Sequence, residues 1–120
     1  MKKLCINNRD EMVLISIDDI AYVIADGNYV KLIYITGMKR TLSVGLTKFF
    51  KMITNVFDND SKCPFVKLGR SIVLNQSYLY EINILKQLLL LSDNKMTFSI
   101  KMPKQLLKSY REMILKTQKN

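Results

Sequence analysis

"IAYVIADGNYVKLIYIT" occupies residues 20–36 of a 120-residue chain. Two runs of branched and aromatic residues flank Asp26-Gly27-Asn28. Such runs suit a pleated, half-buried surface, and the Asp-Gly-Asn between them reverses a chain within two positions. An antiparallel hairpin is therefore expected here, and the rest of the chain is read around it.

Toward the N-terminus, "MVLISI" (residues 12–17) is a further short apolar run, set off by a turn or bulge at Asp18-Asp19. Toward the C-terminus, Thr36-Gly37-Met38-Lys39 turns into "RTLSV", which completes a meander with antiparallel ladders. The period then changes. In "LTKFFKMITNVF" (residues 46–57), Leu46, Phe49, Phe50, Ile53 and Phe57 fall on one face of a helix. "DNDSKCP" (residues 58–64) is a loop by composition. "FVKL", "SIVL", "LYEINILK", "QLLLLS" and "KMTFSIK" read as more strands, with a turn at Asp93-Asn94-Lys95. From Pro103 the chain reads as a helix, with proline at its first position and Leu106, Leu107, Tyr110, Met113 and Ile114 on one face. Lys104, Lys108 and Arg111 fall on the opposite face, and Lys108 and Arg111 read as an ordinary solvated surface.

The length suits one domain, residues 1–120 with a core over about 12–115, and 48% hydrophobic residues can fill it. Disorder is expected only at residues 1–3 and 117–120. Cys5 and Cys63 form no C-x-x-C pair and read as small buried hydrophobes in a reducing compartment. No run reaches the roughly 20 apolar residues of a membrane span, and the basic N-terminus lacks the apolar core of a signal peptide. A cytoplasmic protein is expected, with no membrane contact.

The chain has no histidine, so the commonest general base and zinc ligand are missing. Its carboxylates sit mostly at expected turns, and its four glycines match no phosphate-cradling spacing. An enzyme is not expected, nor a cofactor or metal site.

Charge points elsewhere. Residues 1–60 hold eight basic and seven acidic side chains, whereas residues 61–120 hold eleven basic and three acidic. That excess is the footprint of a phosphate-backbone partner, or else a plain lysine-rich face. Basic residues recur beside expected strand ends, at Lys31, Lys67, Arg70, Lys95, Lys101 and Lys104. Arginine's planar fork suits a base edge and lysine's point charge suits a phosphate, which makes Arg70 the better base reader. Two readings of Arg70 stand: a DNA contact, or an internal pair with a carboxylate such as Asp26 or Glu81. An RNA-binding sheet would display stacking aromatics. Tyr22 and Tyr34 sit instead in core-like runs, and Tyr29 alone follows the hairpin turn.

The motifs together resemble the LytTR family of bacterial DNA-binding domains. "ISIDDIAYVIADGNYVKLIYITG" is similar to the family's opening, and "TLSVGLTKFFKMI" to its Ser-Leu strand and helix. "FVKLGRSIVLN" resembles the Phe-Val-Arg-x-His-Arg-Ser-x-x-Val-Asn signature, and "FSIKMPKQLLKSY" the closing segment. The resemblance runs over roughly residues 13–115. It implies a mainly β fold of elongated antiparallel sheets with one short internal helix and a C-terminal helix. It also implies transcriptional regulation through loops inserted in the major groove of double-stranded DNA at direct repeats, with a homodimer on the repeated sites.

Carried over by position, Asn28, Tyr29, Val30 and Lys31 fall in the first DNA-facing region. Lys67, Gly69, Arg70 and Ser71 fall in the second, and Ser99, Lys101 and Lys104 in the third. The resemblance makes Arg70 and Lys101 base contacts, and Lys31, Lys67, Ser71 and Lys104 phosphate contacts. Gly69 replaces the usual histidine, and Lys67 and Lys101 replace common arginines, which keeps charge and loses bidentate geometry. Many relatives carry a phosphorylated receiver domain. This chain opens almost at the DNA-binding region, so its input is expected to be expression level, dimerisation or a regulatory protein partner. The alternative function is a protein-interaction module that pairs with or sequesters another regulator.

Overall fold

A computed structural model describes residues 2–7, 9–57 and 62–117 of the chain. The described residues include ten strands and two helices, divided between two compact units, residues 1–76 and 77–120. The loop expected at residues 58–64 is described only from Lys62.

In the first unit, β1 (Lys3–Asn7) and β2 (Met12–Ser16) form an antiparallel two-stranded sheet. Leu4, Val13 and Ile15 face the core, while Cys5, Met12 and Leu14 face out. Two expectations are corrected by this hairpin. Lys3 belongs to a strand, and the Lys2 N–H donates to Asp18 Oδ2 at 3.0 Å, so the chain is anchored from its second residue. Cys5 is exposed, because strand alternation turns Leu4 and Ile6 inward and Cys5 outward opposite Leu14. Cys63 is half-buried, and burial pushes its thiol up.

A single 3-10 turn, Ile17–Asp19, leads into β3 (Ile20–Asp26). With β4 (Tyr29–Tyr34), β5 (Lys39–Leu42), β6 (Phe65–Leu68) and β7 (Ile72–Asn75) it forms an antiparallel sheet of order β5-β4-β3-β7-β6. Asp26 pairs with Tyr29, leaving Gly27-Asn28 as a two-residue loop; Gly27 has φ 62° and Asn28 has no positive φ. Glycine at the first loop position is the type II′ arrangement, whose twist matches the flanking strands. The expected hairpin and meander are thus both present.

Helix α1 (Leu46–Val56) buries Leu46, Phe49 and Ile53, as its 3.6-residue period requires. They pack with Val23, Val30, Leu32, Leu42 and Val73 from one face of the sheet. Where β3 slips register between Ile20 and Tyr22, the buried Asn75 amide donates to the Ile20 carbonyl at 3.0 Å. The side chain thereby satisfies a carbonyl at the point where the ladder is irregular.

The second unit contains β8 (Leu79–Asn83), β9 (Leu88–Ser92) and β10 (Thr97–Lys101), in order β10-β9-β8, followed by α2 (Lys104–Thr117). Leu89 and Leu91 of β9 are fully buried, as is Leu107 of α2. Tyr110 is 1% exposed, and burial raises its phenol far above the ordinary range. Four expectations shift here. The run "LYEINILK" does not stay extended to Lys86, because Ile84–Gln87 turns, with Gln87 at φ 56°. Pro103 stands one position before α2, its carbonyl accepting the Leu107 N–H at 3.1 Å. Met113 is 44% exposed, and Thr117 closes the helix rather than opening a tail. Among the described residues, no helix is long and apolar enough to cross a membrane.

Candidate nucleic-acid interface

The ladders of the first unit bring three connections to one end of the five-stranded sheet. β3 ends where β4 begins, at Gly27-Asn28, and Ile24 of β3 pairs with Ile72 at the start of β7. The β6–β7 loop, Gly69-Arg70-Ser71, therefore stands beside the β3–β4 turn, and the Ala25 N–H donates to the Ser71 carbonyl at 2.8 Å. Val30 pairs with Leu42, which delivers Ser43-Val44-Gly45 and the first turn of α1 to the same end.

The side chains there are set by alternation. Asn28, Arg70 and Ser71 are exposed in their turns, and Tyr29 is 49% exposed at the head of β4. Lys31 shares the exposed side of β4 with Tyr29, two residues on. Val30 lies between them with no exposure, so it packs in the core and is removed from the DNA-facing set. Lys67 is half-buried on the strand face that α1 covers, and its Nζ donates to Thr47 Oγ1 at 3.3 Å. Gly69 takes φ 63°, a left-handed conformation that favours glycine over most side chains.

The internal partner considered for Arg70 is not there. Asp26 makes no ion pair with it, and the ion pair seen among the described residues is the exposed Arg9–Asp10 contact at 3.7 Å. Glu81, the other candidate, belongs to the second unit and accepts from the Asn83 amide at 3.3 Å.

In the second unit, Ser99 and Lys101 are exposed on the same side of edge strand β10, and Lys104 is exposed at the start of α2. Lys101 pairs with Leu88, and the Met102 N–H donates to the Gln87 carbonyl at 3.1 Å. The end of β10 therefore adjoins the β8–β9 turn, around a shallow cavity of about 400 Å³ lined by Gln87, Lys101, Met102 and Pro103.

Some neighbours of these residues escaped the sequence reading. Thr47 and Lys48 lie in the first turn of α1, where no acidic residue offsets the free amides. Their signal was the position of a helix directly after a strand that returns to the hairpin end. Leu85 and Lys86 were hidden inside a run read as strand; Asn83, whose Oδ1 accepts the Lys86 N–H at 3.0 Å, was the marker of the turn.

Among the described residues, no group of three His, Cys, Asp or Glu side chains is placed to hold a metal ion. Tyr22 and Tyr34 are half-buried; burial raises both phenols, and the adjacent Arg40 guanidinium opposes the effect at Tyr34.

No family model matches the sequence, and no curated protein does. In structure the chain is similar to a LytTr DNA-binding domain from Bacillus cereus, with a TM-score of 0.60 and 15% identity. The match covers 95% of this chain and 97% of that one. Ten strands in antiparallel sheets, one internal helix and one C-terminal helix are thus arranged in the LytTR fold.

Proposed function

We propose that the chain binds double-stranded DNA sequence-specifically and regulates transcription, its loops entering the major groove at direct repeats. The observation that carries this reading is the joining of the β3–β4 and β6–β7 turns at one sheet end. Asn28, Tyr29, Arg70 and Ser71 are exposed there together. Arg70 then reads a base edge with its fork, and Ser71 and Lys31 hold phosphates. Lys67 adds a cation beside the first turn of α1. In the second unit, Lys101 supplies a further base contact, with Ser99 and Lys104 on the backbone. The net charge of +9 supports a polyanionic partner, and the B. cereus domain of the same fold is a DNA-binding domain.

Selection of bound duplexes from a random pool at moderate salt tests the reading. Enrichment of a repeated half-site is the expected result, with a homodimer occupying the pair. A pool that emerges unenriched overturns it. The second reading, a protein-interaction module that pairs with or sequesters another regulator, is favoured by Gly69, which offers no side chain where the family's histidine stands. Capture of a related regulator together with no salt-sensitive DNA shift would select it.

A further inference from the structure

We propose that Leu85, at the tip of the β8–β9 turn, reads thymine through its C5-methyl group in the major groove. This rests on the DNA-binding reading and adds to it a specificity contact that charge does not reveal. Leu85 is 84% exposed, the highest value among the exposed large hydrophobic side chains of the described residues.

The turn holds Leu85 in place. Asn83 pairs with Leu88, so residues 84–87 form the loop. The Gln87 N–H donates to the Ile84 carbonyl at 3.2 Å, which makes Leu85 and Lys86 the two central residues of the turn. The Lys86 N–H donates to Asn83 Oδ1 at 3.0 Å, and the Met102 N–H donates to the Gln87 carbonyl at 3.1 Å. These bonds fix the loop to β8 and to the end of β10, and the Leu85 side chain takes part in none of them. An isolated exposed leucine is ordinary on a protein surface. What sets Leu85 apart is its fixed backbone and the charge around it.

That charge is positive. Lys86 is exposed beside Leu85 in the turn, and Lys101 and Lys104 are exposed where β10 gives way to α2. The second unit's acids stand elsewhere. Asp93 is in the β9–β10 turn at the opposite end of the sheet, Glu81 pairs with Leu90 within the ladder, and Glu112 is about two turns along α2 from Lys104. The lysines therefore favour a phosphate backbone at this end. A leucine brought there with them gains nothing from phosphate or sugar oxygens. The apolar group that a duplex shows on its base edges is the thymine C5-methyl, in the major groove. Contact with the Leu85 methyls removes both from water, whereas the minor groove offers such a side chain only a base step that must first be unstacked. Lys101, the second unit's base contact in the DNA-binding reading, adjoins this turn, so the two side chains address one groove.

The test uses the full chain and the duplex selected from the random pool, with each thymine in turn replaced by deoxyuridine, which lacks only the methyl group. Fluorescence anisotropy should show a position in the half-site where the parent binds the deoxyuridine duplex about fourfold more weakly, the effect of burying one methyl-sized group. Leu85→Ala should weaken binding to the thymine duplex by a similar factor and should bind both duplexes alike. Leu85→Met keeps an apolar contact and should keep the preference for thymine. The side chain buries little, so these variants should fold as the parent does. A pool that emerges unenriched overturns the DNA-binding reading and this one with it. With an enriched site in hand, two results overturn this one alone. In the first, deoxyuridine is neutral at every position in the parent. In the second, the preference for thymine persists undiminished in Leu85→Ala, which would make Leu85 a wedge between base steps or a bystander.

Discussion

Ala25 donates its backbone N–H to the Ser71 carbonyl at 2.8 Å, so the loop that carries Arg70 is fastened to the strand that ends at Asp26. The bond matters because, among the described residues, no carboxylate pairs with the Arg70 guanidinium, and the loop is what positions it. A base-reading arginine needs such a fixed platform. Arg70→Ala is expected to cost about 1–3 kcal/mol on the selected duplex and little on an unrelated one. Fluorescence anisotropy on both duplexes measures this; an equal loss on each would make Arg70 a phosphate clamp.

Gly69 sits in the loop that carries Arg70, and its backbone is left-handed. At φ 63° an L side chain is strained, by about 1–2 kcal/mol for Ala. Gly69→Ala should lower the unfolding free energy by about that amount, and Gly69→Asn by less, since asparagine tolerates the left-handed region. Denaturant melts check both. Identical midpoints for all three proteins would mean that the loop relaxes without strain.

The hairpin at Gly27-Asn28 was legible because glycine and asparagine are the chemistry of the turn itself. α1 was legible because five apolar residues keep a helical period. β1 was not, since "KLCIN" has no turn signal before it and is stabilised by pairing with β2 and packing near α1. The turn at Ile84–Gln87 was missed for a related reason. Isoleucine, leucine, lysine and glutamine do not announce a reversal, which is closed by the Asn83 side chain and by the Gln87 N–H on the Ile84 carbonyl. As for the site, sequence identifies charged residues but not their neighbours. That Ser71 meets Ala25, distant in the chain, follows from β7 pairing with β3 rather than from any local pattern.

The β9–β10 turn is expected to loosen in acid. Asp93 Oδ1 accepts the Met96 N–H at 2.8 Å and the Lys95 N–H at 2.9 Å, and these bonds hold the carboxyl below its usual range. With the folded pKa below the unfolded one, the contribution is complete above the ordinary carboxylate range and is lost as pH falls through the depressed value. Asp93→Asn keeps an acceptor oxygen without the titration. Amide shifts of Lys95 and Met96 followed against pH should show an acid transition in the parent and none in the variant. A transition of the same size in both would remove Asp93 from the account.

Lys67 separates two roles that charge alone confuses. Its Nζ reaches Thr47 Oγ1 at 3.3 Å, which ties β6 to the first turn of α1. If Lys67 also neutralises a phosphate, Lys67→Met removes a released counterion, and the slope of log K against log salt should fall by about 1. Thr47→Val removes only the hydroxyl acceptor and leaves the cation, so its salt slope should match the parent. A single hydrogen bond from an ammonium to a hydroxyl at a partly exposed site contributes on the order of 1–2 kcal/mol, so both variants should remain folded. Titrations at several salt concentrations distinguish the cases. Parental slopes for both variants would assign Lys67 to the strap between sheet and helix and leave the phosphates of this end to Lys31 and Ser71.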